Sequence, residues 1–224
     1  MAARHLLRLG AWLAAGGVVV TAGLAEGPIP ALVASTVVII AILYAAFWLP
    51  RSANRAFARG RYRPAARRYR LLGICALGAR RERAALLSRV GCLVAEHRVD
   101  AAEQLAARVD GAALDAAERA VWLNNRACLA LEPGQDPAEA LLLVEEAAVL
   151  RPDVPAIQHT RGMALLAVGR LDEAITVLDG MRTAGELPGP LEADRCRDLA
   201  RAWDAKGQGA YAEDYRNRAA MLAR

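Results

Sequence analysis

The feature that most constrains this chain is a helix-turn-helix pattern that occurs twice in succession between residues 121 and 181. The first copy reads VWLNNRACLALEPGQDPAEALLLVEEAAVLRPD and the second PAIQHTRGMALLAVGRLDEAITVLDGM. Small residues set the register: Ala127 corresponds to Gly162 at a spacing of 35 residues, and Ala140 to Ala174 at 34. A helix pair of that period cannot bury its apolar face alone, so each copy must stack on a neighbour. Aromatic residues make up only 5% of the chain and strand-like alternation is almost absent, so the sequence predicts an all-α protein.

The amino-terminal third adds a second constraint. Between Arg8 and Glu26 lie 17 uncharged residues, and between Glu26 and Arg51 lie 24 more. A helix needs roughly 20 apolar residues to cross a bilayer, with a tolerance down to about 17. Residues 1–50 are therefore expected to form a two-span transmembrane helical hairpin, turning between Ala25 and Pro30, where Gly27, Pro28 and Pro30 interrupt the helix. A cleaved secretory signal is the other reading of the first segment, because Arg4 and Arg8 precede its apolar core. The immediate return of a second long span favours the hairpin. Gly10, Ala14, Gly17 and Thr21 share one face of the first segment. That face either admits the second span closely or reflects the abundance of small residues in such helices.

Charge is unevenly spread. The net charge is +5, yet residues 1–83 carry 13 Arg against Glu26 and Glu82, while residues 84–224 carry 16 basic and 22 acidic groups. The turn of the hairpin has no Lys or Arg, whereas basic residues flank both of its ends, so both termini are expected in the cytoplasm and the chain in the cytoplasmic (inner) membrane as a multi-pass protein. Trp48, Arg51, Arg55 and Arg59 are candidate interface residues. Anionic lipid headgroups are candidate ligands for the arginines, at about 1 kcal/mol per basic group near the surface. The acidic remainder argues against a nucleic-acid partner.

The residues of the two copies resemble the tetratricopeptide repeat family. Gly162, Ala164, Gly169, Leu171, Ala174, Ile175 and Leu178 occupy that family's small and large packing positions in the second copy (155–181). Leu123, Ala127, Ala140 and Ala147 do so in the first (121–152), which Pro152 closes. The likeness extends more loosely over residues 51–224: Phe57 to Tyr69 with Ala65, a stretch around Val99, Ala102 and Leu105 with a blurred turn at His97, and a closing pair around Trp203, Gly207 and Ala212. The resemblance implies a bacterial, membrane-anchored member with an α-solenoid of about four to five helix pairs and one concave face. It also implies that first-helix residues line a protein-binding groove, here Asn124, Asn125, His159 and Met163. Arg126 and Arg161 stand where the family places a large apolar residue. Each either pairs with a carboxylate, Glu145, Glu146 and Asp179 being near in sequence, or lies on the exposed edge of the solenoid, or points at an acidic ligand.

Function then follows as an expectation. The chain is read as a membrane-anchored scaffold or adaptor that binds a protein or peptide partner at the cytoplasmic face. The alternative is an assembly subunit whose hairpin packs into a larger integral-membrane complex. No phosphate loop, dinucleotide fingerprint or H-E-x-x-H motif occurs, and Cys75, Cys92, Cys128 and Cys196 are dispersed without a C-x-x-C pair. Neither a cofactor nor a metal is expected, and no enzymatic activity.

Overall fold

The computed structural model of the chain describes residues 14, 16–18, 21, 24–25, 27–76, 78–183 and 187–222. Every regular element among them is helical.

The first, α1, runs from Pro28 to Ala58 as 31 continuous residues. It begins at Gly27, whose φ of 118° only glycine adopts readily. Pro28 and Pro30 fall in the first turn, where backbone N–H groups have no intrahelical partner, so they open the helix. Near its middle, Tyr44–Trp48 widens into a π turn in which Leu49 N–H bonds the carbonyl of Tyr44, five residues back. Pro50 follows immediately. It lacks an N–H and its ring crowds the preceding turn, which the extra π residue accommodates. Arg51 Nη1 donates to Phe47 O at 2.9 Å and covers a carbonyl of the distorted turn.

Residue 50, where the composition changes, falls inside this continuous helix. Leu49, Ala53 and Ala56 of the same helix are buried in the repeat domain. At 1.5 Å per residue α1 is about 46 Å long. That exceeds the roughly 30 Å of a bilayer's hydrocarbon by about 16 Å. It is one helix, among the described residues, long and apolar enough to cross a membrane, with mean hydropathy 2.4 and only 6% of its apolar window buried in the protein. The first expected span, residues 9–25, lies largely outside the described residues. Of those described there, Gly16 approaches the second segment: a methyl built on it would lie 3.9 Å from Val38 Cγ1, whereas Gly17 has open space.

Five helix pairs follow one another. The end of α1 pairs with α2 (Tyr62–Cys75), α3 (Ala79–Val94) with α4 (Val99–Ala106), and α5 (Ala116–Ala130) with α6 (Pro137–Leu150). Then α7 (Pro155–Ala167) pairs with α8 (Leu171–Thr183) and α9 (Gly189–Ala205) with α10 (Gly209–Leu222). Four of the five turns close alike. In the α7–α8 turn, Gly169 N–H bonds Leu166 O and Arg170 N–H bonds Leu165 O. Gly60 and Gly207 repeat this, and so does His97 at φ 54°, a left-handed residue that carries a side chain. The blurring at His97 is thus a matter of residue type, and the turn has the common geometry.

Most packing positions read from the sequence are buried, whereas Gly169 in its turn is exposed and Leu171 is half-buried. Ala127, Ala140, Ala147, Ala164, Ala174 and Leu178 are enclosed, and Gly162 lies so close to Leu178 that a Cβ there would meet its side chain at 2.5 Å. The first helices stack in order: α3 on α5, α5 on α7, and α7 on α9. The curl brings α9 back towards the end of α1, where a methyl built on Gly60 would lie 3.5 Å from Pro190 Cγ.

Candidate protein-binding groove

The inner layer consists of the first helices of successive pairs, and α5 and α7 hold the groove residues expected from the sequence. Neighbouring residues on a helix point about 100° apart, so Asn124, Asn125 and Arg126 cannot share a face. Asn125 is buried and turns towards α3, where its Nδ2 donates to Leu87 O at 3.0 Å. The opposing position is Gly91, whose absent methyl leaves room for Asn125 Oδ1. Asn125 is therefore a tie between the second and third pairs.

His159 ties the next stacked pair of first helices but one. It is buried on α7, with Nε2 3.0 Å from Asp198 Oδ2 on α9. Asp198 Oδ1 also accepts from Arg201 Nη1 at 3.1 Å. Beside it, Thr160 Oγ1 lies 3.4 Å from Cys128 Sγ of α5, and burial pushes the Cys128 thiol above its ordinary pKa. Asn124 shares a helical face with Cys128. It is half-buried, and its enclosed Oδ1 accepts no hydrogen bond among the described residues. Met163 is half-buried on α7.

The two arginines point elsewhere. Arg126 Nη2 donates to Glu139 Oε1 at 3.1 Å, with its guanidinium 5.1 Å from the Trp122 ring centroid. Arg161 Nε donates to Glu145 Oε1 at 2.9 Å. Both carboxylates belong to α6, so both arginines reach the outer layer of second helices, where each charge has an opposite one. Arg126 and Glu139 border a surface hollow of about 370 Å³ between α4, α5 and the α5–α6 turn, together with Glu103, Trp122 and Gln135.

Other internal ties carry no family signature. Arg195 on α9 is 1% exposed, held by both oxygens of Glu192 at 2.7 and 2.6 Å, and donates to Leu178 O at 3.1 Å. Its bonds to Glu192 raise the guanidinium pKa further. An E-x-x-R spacing is the local signal for that pair, but its burial depends on α8 packing over it. Arg83 reaches Glu118 at 3.0 Å across the α3–α5 interface, while Glu118 also closes the capping box of Asp115.

Where the apolar part of α1 ends, Trp48 and Arg51 are exposed one turn apart, and Arg55 follows on the next turn. Arg59 caps the helix about 16 Å beyond Trp48 along the axis.

No protein family and no curated protein matches the chain. Two solved structures are similar in fold. MamA MSR-1 C2 has 20% identity and a TM-score of 0.45 over 81% of this chain and 97% of its own. MamA AMB-1 P212121 has 20% identity and a TM-score of 0.46 over 79% and 98%.

Proposed function

We propose that the chain is a membrane-anchored helical-repeat scaffold, a tetratricopeptide-type protein that holds a protein partner at the cytoplasmic face. The observation that carries this reading is helix α1. Its first two-thirds are apolar and unburied, and its last ten residues belong to the repeat core. A secretory signal is cut away from what it precedes, whereas removal of this helix would strip Leu49, Ala53 and Ala56 from the first pair. The approach of Gly16 to Val38 supports a hairpin of two spans. Basic residues at both ends of that hairpin and none in its turn support a cytoplasmic array. The reading is of a binding protein, with no catalytic step.

Asn125 and His159 are buried between stacked first helices, and Arg126 and Arg161 pair with Glu139 and Glu145, so Asn124 and Met163 are the groove residues chosen for the test. The test is crosslinking and co-purification from detergent extracts with Asn124→Ala/Met163→Ala. Loss of a co-purifying protein, with membrane insertion and melting temperature unchanged, supports the groove. A partner that instead follows residues 1–58 assigns the main contact to the hairpin, as in an assembly subunit. A protease site at the C-terminus that is cut from outside intact cells sinks the cytoplasmic orientation.

A further inference from the structure

We propose that the corner between α2 and α3 is a second membrane contact, a foot of Leu71 and Ile74 that inserts at the lipid surface beneath a ring of arginines. It rests on the reading of α1 as a membrane span. The register of α1 against α2 carries the argument. Arg68 Nη1 donates to Ser52 O at 2.7 Å, and Tyr69 O–H to Asn54 Oδ1 at 2.7 Å. Continued along the antiparallel pair, this register sets Leu71 level with Pro50 and Arg51, and Ile74 level with Phe47 and Trp48. After leaving the bilayer at Trp48, the chain thus turns at Gly60 and comes back down to the same depth.

What α2 carries to that depth is unusual for a soluble surface. Arg67, Arg70, Leu71 and Ile74 stand at i, i+3, i+4 and i+7, and all four are exposed. Leu71 and Ile74 are 51% and 53% exposed, beside the 53% and 62% of Phe47 and Trp48. The face grades from Arg63 and Arg67 far from the bilayer, through Arg70, to Leu71 and Ile74 at its level. A helix descending into headgroups and then acyl chains requires that order. Arg67, Arg70 and Arg81 have no carboxylate partner among the described residues, so their charges are available to anionic phosphates. Because α3 packs antiparallel on α2, its first turn, with Arg81, lies at the same level.

The test uses the full chain, one copy per nanodisc, with a nitrobenzoxadiazole probe on Ile74→Cys in a Cys75→Ser/Cys128→Ser background. Cys92 and Cys196 are buried and stay unlabelled. In discs containing phosphatidylglycerol, the probe at 74 is expected to emit blue-shifted and to be quenched by bromolipid. Arg67→Gln/Arg70→Gln/Arg81→Gln is expected to abolish both effects, while a probe on Leu142→Cys emits as in water throughout. A probe on Ile40→Cys reports the span itself. If position 40 is quenched and position 74 emits as in water, the foot is wrong and the anchor stands. If position 40 is also unquenched, the anchoring reading fails. A blue shift at 74 without bromolipid quenching means that protein covers the patch, and overturns the lipid assignment.

Discussion

His97 is the residue most out of keeping with its position. A left-handed backbone with a Cβ costs about 1–2 kcal/mol, and three equivalent turns use glycine. Its compensation is an exposed contact to Glu132 Oε1 at 3.0 Å, worth little at a solvated surface. His97→Gly is expected to stabilise the fold by about 1 kcal/mol, seen as a higher urea midpoint with an unchanged slope. Gly162 is the opposite case. Alanine is normally the better helix former by about 1 kcal/mol. Here its methyl would collide with Leu178, and overpacking of that kind costs about 1–3 kcal/mol. Gly162→Ala should therefore lower the denaturation midpoint, and a neutral or stabilised variant would mean that Leu178 has room to turn. Gly162 was legible in the sequence because its repeat partner is the equally small Ala127. The ties of Asn125 and His159 were not, since their partners lie 38 and 39 residues away on helices whose contact only the stacking decides.

Among the elements, α1 is the one whose continuity the sequence discloses least. Composition changes abruptly at Arg51, which suggests a domain boundary, yet hydrogen bonding runs through Pro50 by way of a π turn. A proline signals a break only if the preceding turn cannot widen, and nothing in the residues YAAFW announces that it does. The apolar segment and the first repeat helix are one rod, so on the proposed membrane-anchored reading the array has a set inclination to the bilayer. Replacing Ala45 and Ala46 by glycine weakens that rod by about 1 kcal/mol per residue without touching the buried core that begins at Leu49. We expect the melting temperature of the array to hold while a probe on Val149 in nanodiscs loses anisotropy. Unchanged anisotropy would show that other contacts fix the orientation.

Over the whole molecule, stability is expected to fail at high pH. Burial pushes Cys92, Tyr69 and Tyr215 each up to about 12, from ordinary values near 9 for the thiol and 10 for the phenols. These groups are neutral in the fold and ionise earlier once unfolded. Their contribution is complete below about pH 9 and declines as pH rises towards 12. Cys92→Ala should shift the start of alkaline unfolding upward, as followed by circular dichroism. A coincident curve for the variant would remove the thiol from the account. The all-α class, the repeat period and the best two pairs were readable because small residues recur at 34 and 35. Closure of the array was not, because no residue pattern records how far a stack of pairs curls.

That closure bears on how such a protein can change over generations. Repeat proteins usually lengthen by copying a unit, because each unit touches only its neighbours and an added one finds a place at the end or in the middle. Here the start of α9 faces the end of α1, with Pro190 about a methyl's width from Gly60. An inserted pair would part those ends and expose both, so the number of units is held by geometry. Diversification is left to side chains and turns, and any partner of the proposed scaffold would meet a curled array of set size.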